Sequence, residues 1–507
     1  MQELVNTLNG YIWSSYLIYL CLGAGIFFSV MTRFAQVRHF KEMLRLLLSG
    51  KSSDKGISSF QALAVSLSGR VGTGNIAGVA AAIGFGGPGA VFWMWIVAFL
   101  GAATAYVEST NAQIYKEEED GVYRGGPAYY IEKAMGQKWY AWIFAIATII
   151  ACGVLLPVVQ SNGIGDALVN VFGNGGTVNS FLGDLALTKV YAAVGIVLLL
   201  GFIIFGGVKR IAHFTQIVVP FMALAYIIIA CAIIALHIDQ LFDIWLLILS
   251  DAFTPMAGFG AAIGWGVKRG VYSNEAGQGT GPHAAAAAEV EHPAQQGLVQ
   301  AFSVYIDTLF VCTATAFMIL ITQSYNVMPD GSSAFIVQNL AADVVISGPA
   351  FTQIAVDSVL TGFGKPFIAI ALFFFAFTTV LAYYFIAENN ISYINRTIKI
   401  PALRGLLKVV IMSAVFYGTV AQPSAAWGMG DIGVGVMAWL NIVGIVIIFF
   451  MSKPAIKALR DYEAQMAAGV EKYTFDPKKL GIKNANFWEE RFNKQSTDSN
   501  NQASNKT

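Results

Sequence analysis

The chain contains run after run of about twenty apolar residues with almost no charge inside them, and that pattern leaves few folds open. A helix of this length spans roughly 30 Å of hydrocarbon. Inside hydrocarbon, only structures that satisfy their own backbone hydrogen bonds persist. Such runs lie near 11–31, 59–83, 89–111, 139–160, 189–208 and 211–238, then near 256–288, 294–322, 365–388, 405–423 and 431–451. The pattern therefore predicts an all-α membrane protein with eleven transmembrane helices. Composition agrees, with 56% of the 507 residues hydrophobic and only 12% charged. A net charge of +1 with no separate basic patch excludes a nucleic-acid partner and leaves membrane lipids as the surroundings. Cys21, Cys152, Cys231 and Cys312 each fall within an apolar run, where cysteine behaves as a small hydrophobe. They predict neither a disulfide nor a metal site. The first run lacks a basic leader and a small-residue cleavage site, so it reads as a retained helix.

Lysine and arginine mark the loops that stay in the cytoplasm. The stretch 32–58 carries Arg33, Arg38, Lys41, Arg45, Lys51 and Lys55. Later basic hinges hold Lys209 and Arg210, then Arg396, Lys399 and Arg404, then Lys453, Lys457 and Arg460. Residues 1–10, 84–88, 161–188, 239–255, 323–364 and 424–430 contain neither residue type. The prediction is an N-terminus outside the cell membrane and a C-terminus in the cytoplasm. Residues 33–49 alternate basic and apolar at helical spacing, as an amphipathic helix on the anionic inner leaflet would, with a solvated linker as the alternative. The tail from about 453 ends in a polar stretch poor in aromatics and reads as partly disordered.

Two of the spans are interrupted. "SLSGRVGTGNIAGVAAAIGFGG", residues 66–87, holds an arginine, an asparagine and seven glycines. "GVKRGVYSNEAGQGTGPHAAAAA", residues 266–288, holds five further glycines and Pro282 beside Asn274 and Glu275. A dinucleotide loop would need a strand before its glycines and an acidic residue after them, and neither is present. Close helix packing through small residues is the simpler alternative for one such stretch. Two stretches are harder to explain in that way. With the run at 11–31 set aside as a peripheral extra, ten spans remain, and the broken ones are the first and the sixth. They open two halves of five with opposite orientations, the arrangement of inverted repeats in secondary transporters. The implied units are 1–58, a first repeat over 59–238, a second over 239–452 and a tail over 453–507. Unwound backbone survives in a membrane where it lines a cavity or binds something, so the breaks are candidate sites.

These residues also carry a resemblance. "RVGTGNIAGVA" (70–80), "GGPGAVFWMWIVAFLG" (86–101), "ESTNAQIYK" (108–116), "RGGPAYYIEKAMG" (124–136) and "GVKRGVYSNEAGQG" (266–279) resemble the alanine or glycine:cation symporter family. "HPAQQGLVQAFSVYIDT" (292–308) and "FAFTTVLAYYF" (375–385) extend the likeness into the second half. The resemblance implies sodium-driven, or proton-driven, uptake of a small neutral amino acid such as alanine or glycine. It also implies a fold similar to that of the bacterial leucine transporter, with no cofactor beyond the coupling ion, no enzymatic activity and no indication of oligomeric state. A zwitterion brings a carboxylate and an ammonium into a region where unpaired charge is costly, so both ends need partners. Exposed helix N-termini suit the carboxylate, and broken C-terminal carbonyls suit the ammonium or a cation. Gly72, Thr73 and Gly74 let a ligand approach the backbone, and Asn75 offers both a donor and an acceptor. On the second break, Tyr272, Ser273, Asn274 and Gln278 join the expected substrate site, together with Tyr383. For sodium, the fold resemblance implies the carbonyls of Ser68, Val71 and Phe375 with the hydroxyls of Thr378 and Thr379. Capping of their own helix is the alternative for the two threonines.

The chain departs from the family's pattern at the eighth core helix. Ala382 and Tyr383 stand where glycine and tryptophan are usual, Thr378 stands for serine, and Gln278 replaces a common methionine. Gln278 raises the alternative of a larger neutral substrate such as glutamine. Arg70 and Glu275, one beside each break, read as a gate or a mutual pair, while Glu108 and Asp307 read as buried structural hydrogen-bond partners. His283 and His292 read as packing residues because no second metal ligand accompanies them. A channel or an amino-acid sensor is the competing class. An enzyme is disfavoured because no nucleophile, base and orienting group fall together.

Overall fold

A computed structural model describes residues 2–48, 53, 55–180, 183–332, 334–346 and 348–494, which are mostly helical. The chain opens with two helices bent by 40°, Glu3–Ile12 and α1 (Ser15–Met31). It continues through α2 (Ser59–Arg70), a π-helical turn (Gly74–Gly78) and α3 (Val79–Gly86). Four long helices follow, α4 (Ala90–Ile114), α5 (Lys138–Phe172), α6 (Leu187–Ile204) and α7 (Lys209–Leu236). Then come α8 (Phe259–Asn274) and α9 (Gly281–Ala287), and finally α10 (Pro293–Ile321), α11 (Gly364–Ile398), α12 (Ala402–Val420) and α13 (Pro423–Ser452). Among the described residues, eight helices are long and apolar enough to cross a membrane, or nine if the bent first pair counts as one. The runs at 59–83 and 256–288 fall outside that count because each is split into halves too short to span.

The two breaks lie in the centre of the bundle because their neighbours are small or polar on the facing side. The second half of α4, from Gly101 to Ile114, is buried throughout. Its partner α10 approaches closely through Gly297, where any side chain would collide with Tyr106 and Thr110 of α4. Within α10 the segment Tyr305–Cys312 is a π-helix, a form that concentrates at functional sites, and it carries the buried Asp307. Lipid-facing helices read differently: α6 and α7 leave Phe202, Phe221 and Leu224 exposed.

Several loops differ from the sequence expectation. Helix α5 runs on to Phe172 rather than ending near 160, because Gln160, Ser161 and Asn162 are buried against other helices. The stretch 239–255 contains a helix, Leu241–Phe253, and 323–364 contains another, Ala350–Val359. The amphipathic segment does form helices, Ala35–Arg38 and Phe40–Leu48, but it packs against the bundle. Phe40 meets Phe302 with ring centroids 5.7 Å apart, and Tyr462 donates to Glu42 at 2.5 Å. Residues 49–52, Lys51 among them, lie outside the described residues.

The tail forms a helix α14 (Pro454–Ala467) and a helical stretch over 486–494, and the polar end read as disordered, 495–507, lies outside the described residues. Trp488 is fully buried and donates to the Gln113 carbonyl at 2.7 Å. Gln113 in turn donates to the carbonyls of Ala285 and Ala288 at the end of α9. Lys116 donates to the same Ala288 carbonyl at 2.9 Å and lies over the rings of Tyr123 and Phe487, burial holding its ammonium well below the ordinary lysine range. Arg491 pairs with Glu289 at 2.6 Å. Ile57, just before α2, forms a parallel bridge with Ala288. One cluster therefore ties the start of the first broken helix, the end of the second and the tail together.

Candidate functional site

The first break follows Arg70, where α2 stops and the chain resumes as a π turn. Breaking a helix frees backbone N–H groups, and in a membrane each needs an acceptor. Gly72 N–H donates to Asn75 Oδ1 at 2.8 Å, and Thr73 N–H donates to Gln160 Oε1 at 2.9 Å. A side chain at Gly72 would stand 2.6 Å from Thr379 Oγ1 and 2.8 Å from Gln160 Oε1, so glycine is required here by close approach. Asn75 Nδ2 donates to Asp307 Oδ1 at 2.6 Å, and the same oxygen accepts from Ser273 Oγ at 3.0 Å. Thr308 Oγ1 donates to the other Asp307 oxygen at 2.7 Å. Asn75 and Ser273, expected at the site, therefore meet on one carboxylate. Asp307, read from the sequence as merely structural, joins the two broken helices.

The second break runs from Glu275 to Thr280. Glu275 has φ +57°, and Gly277 and Gly279 have φ +85° and +82°, values that favour glycine at the last two. Asn274 Oδ1 accepts from Ala276 N–H at 3.0 Å, so it caps its own break. Gly277 N–H donates to Glu108 Oε1 at 3.2 Å. Asn441 Nδ2 donates to Glu108 Oε2 at 2.6 Å and to the Gly277 carbonyl at 2.9 Å. Gln278 Nε2 is turned onto the Val271 carbonyl at 2.5 Å. Tyr272 packs against Trp427, with ring centroids 5.2 Å apart, and its hydroxyl accepts from Gln160 Nε2 at 3.4 Å. Tyr383 is buried on α11 beside Glu275.

The residues expected around a cation come together in part. Thr379 Oγ1 lies 2.7 Å from the Ser68 carbonyl, 2.9 Å from that of Phe375 and 3.4 Å from that of Val71. A hydroxyl donates one hydrogen bond, so three converging carbonyls exceed what it can satisfy, and all of these groups are oxygens, the donor type that hard cations take. Thr378 meets this set only at the Phe375 carbonyl. Its hydroxyl donates back to Phe374 and Phe375 of its own helix at 2.8 and 3.0 Å, on the side facing Met222. Of the two threonines, Thr379 is the one hydrogen-bonded to the carbonyls of Ser68 and Val71.

Arg70 and Glu275 are both buried, yet they do not form the expected mutual ion pair. Arg70 donates to the Gln300 carbonyl at 3.0 Å and to Ser303 Oγ, while Glu275 accepts from Thr280 Oγ1 at 2.9 Å. The ion pairs near the breaks involve other residues. Arg269 grips Asp431 with two bonds of 2.8 and 3.1 Å, Lys268 adds a third contact at 2.7 Å, and Trp427 stacks on the Arg269 guanidinium at 4.4 Å. Toward the opposite end of the bundle, Arg124 binds Glu388 through bonds of 2.9 and 3.1 Å, with Arg404 at 3.4 Å. His283 is held by the Thr280 carbonyl and Asn390, and His292 accepts from Ala294 N–H at the start of α10. Among the described residues, no group of three or more His, Cys, Asp or Glu is arranged to hold a metal ion. Sequence reasoning missed Gln160, Asp431 and Glu388. The available signal was a polar or charged residue inside an apolar run, as at "GMGDIG".

Comparison with known proteins adds an independent line. A family profile described as "Sodium:alanine symporter family" matches residues 1–477. The protein YrbD of Bacillus subtilis (strain 168) is 57% identical over 501 residues, covering 98% of this chain and 99% of that one. A protein of Bacillus sp. (strain PS3) named "Sodium/proton-dependent alanine carrier protein" is 50% identical, covering 88% and 97%. The "Sodium/alanine symporter AgcS" of Methanococcus maripaludis is 36% identical, covering 88% and 94%. Among solved structures, MhsT in complex with L-phenylalanine aligns with a TM-score of 0.46 at 13% identity, over 79% of this chain and all of that one.

Proposed function

Because the chain belongs to the sodium:alanine symporter family, and is thus a multi-pass membrane transporter rather than an enzyme, we propose that it carries a small neutral amino acid into the cell together with sodium. Alanine is the foremost substrate and glycine the second, moved by alternating access. The observation that carries this reading is one peptide unit. The Val71 carbonyl faces the oxygen set at Thr379, while the N–H of the next residue, Gly72, faces Asn75. A cation drawn to the carbonyls of Ser68, Val71 and Phe375 therefore orders the same backbone whose N–H groups, at Gly72 and Thr73, would take the substrate carboxylate. Ser273, Asn75 and Tyr272 complete the polar and aromatic walls. The Asn75 and Gln160 oxygens that cap these N–H groups are neutral, so a carboxylate can replace them at small net cost.

The accompanying architecture is eleven crossings with the N-terminus outside and the C-terminus in the cytoplasm. It comprises a peripheral part over 1–58, repeats of opposite orientation over 59–238 and 239–452, and a cytoplasmic tail over 453–507. In this reading the Arg269–Asp431 and Arg124–Glu388 pairs close the two ends of the path. A glutamine-sized substrate is disfavoured by the alanine carriers among the near relatives; Gln278 turns its amide nitrogen onto the Val271 carbonyl.

Sodium-jump uptake into proteoliposomes tests the function, with a competition panel of neutral amino acids in the presence and absence of sodium. Concentrative, sodium-dependent alanine uptake supports it. Downhill flux alone would make the protein a channel, and binding without flux would make it a sensor. Cysteine labelling of the 323–364 stretch tests the orientation; labelling from the cytoplasmic side alone would reverse it.

A further inference from the structure

Two opposite charges sit on the two breaks and do not meet. Arg70 uses Nη1 on the Gln300 carbonyl and on Ser303, but its Nε and Nη2 have no partner. Glu275 uses Oε2 on Thr280 and has the Tyr383 hydroxyl beside its carboxylate, but its Oε1 makes no close hydrogen bond. Both residues are only 1% exposed, and no Arg70 nitrogen lies within 4.0 Å of a Glu275 oxygen. They are neighbours all the same. Arg70 Nη2 lies 2.7 Å from where a Cβ on Gly281 would stand, and Glu275 Oε2 lies 3.0 Å from where one on Gly69 would stand. Gly69 directly precedes Arg70, and Gly281 directly follows Thr280. Each charge thus rests on a glycine of the opposite broken helix, across the Thr280–Gly281 backbone.

The level of this pair along the bundle is given by α10. The cradle at Asn75 touches Asp307, whereas Arg70 touches Gln300 and Ser303, four to seven residues nearer Pro293. At the helical rise that is roughly 6–10 Å. The displacement is toward the end where Ile57 meets Ala288 and the tail is packed. The other two buried carboxylates nearby are satisfied: Glu108 accepts from Gly277 and Asn441, and Asp307 from Asn75, Ser273 and Thr308. Unpartnered charge at membrane depth costs several kcal/mol, so the bare edges of Arg70 and Glu275 call for a ligand bearing both signs.

We infer that Arg70 and Glu275 form a second station for the amino-acid substrate on the cytoplasmic side of the cradle. There the Arg70 Nε and Nη2 groups receive the carboxylate and Glu275 Oε1 receives the ammonium before release. The station rests on the transport reading above and adds to it a route, with the zwitterion handed from neutral backbone N–H groups to a charged pair.

The test uses the full-length protein in detergent and in proteoliposomes, with L-alanine and sodium as probes. Glu275→Gln keeps shape and removes charge. It is expected to leave equilibrium alanine affinity within about threefold while slowing alanine exchange at saturation by about tenfold or more. A second readout separates a station from a simple gate. In Asn75→Leu protein, whose cradle is disabled, weak saturable alanine binding persists at roughly millimolar concentration and disappears when Glu275→Gln is added. If Glu275→Gln does not melt cooperatively, Arg70→Gln, which removes the charge proposed to take the carboxylate, carries the same comparison. Loss of affinity with exchange intact would put Glu275 in the cradle and overturn the station. Residual binding indifferent to Glu275→Gln would overturn it as well, as would unchanged affinity and exchange in a folded variant, which would leave the charged pair ordering water only. Wild-type protein that binds no alanine with sodium would instead overturn the transport reading itself.

Discussion

The two breaks occupy matching places in the chain but are held in different ways. At the first, the free N–H groups of Gly72 and Thr73 are capped by the amide oxygens of Asn75 and Gln160. At the second, the Gly277 N–H is capped by the Glu108 carboxylate, which also takes the Asn441 amide. Charge-assisted hydrogen bonds are roughly twice as strong as neutral ones. Neutral caps can be exchanged for a ligand's carboxylate, whereas a carboxylate cap repels one. The difference teaches that broken helices need not share one job: the first is built to be re-bonded, and the second is built to stay.

The sharpest way to break this comparison is Glu108→Leu. It removes the acceptor from the Gly277 N–H and the Asn441 amide together, and hydrogen bonds to charged groups contribute about 1.5–3 kcal/mol each. A loss of about 3 kcal/mol or more is expected, read as a clear drop in the melting temperature of the detergent-solubilised protein. An unshifted curve would mean that the second break is no more tightly held than the first.

Asn75→Leu attacks the first break. The substitution preserves size, so thermal melting is expected to change less than for Glu108→Leu, although Asp307 also loses a donor. Alanine affinity measured by calorimetry should fall about tenfold to a hundredfold, matching a hydrogen bond of roughly 1.5–3 kcal/mol to a charged group. Near-normal affinity in a stable variant would return this stretch to simple helix packing.

Two smaller effects sharpen the ion side of the first break. Thr379→Ala removes the hydroxyl on which the Ser68, Val71 and Phe375 carbonyls converge, and apparent sodium affinity should weaken severalfold, about 0.5–1.5 kcal/mol. Thr378→Ala removes a hydroxyl that caps its own helix, and the sodium activation curve should stay in place, with a stability change within about 0.5 kcal/mol. Equal responses of the two variants would show that the helix rotates in the working protein.

Much of the frame was legible in the residues. Apolar length marks where helices cross, because the cost of unbonded backbone in hydrocarbon allows little else. Glycine and proline clusters mark where they break, because the chain there must take backbone angles, or approach distances, that side chains forbid, as at Gly72 and Gly277. The chemistry offered at the first break, N–H groups beside an amide side chain, was readable for the same reason: the bond from Gly72 to Asn75 is local.

What required the tertiary structure is everything that depends on which way a helix faces. Composition could not separate Thr378 from Thr379, since only the packing of α11 on α2 brings the Thr379 hydroxyl to the Ser68 carbonyl and leaves that of Thr378 on carbonyls of its own helix. Nor could it match Arg70 with Gln300 and Ser303 rather than with Glu275, or Asn75 with Asp307, partners some 230 positions apart in the chain. The docking of the tail was hidden likewise, because a polar segment shows no place to pack until its few aromatic residues, Trp488 above all, find a buried surface made by other helices. Local sequence determines where a backbone must bend and what each residue can donate or accept. Only the closed bundle determines which donor meets which acceptor, because that depends on rotations and distances summed over the whole chain.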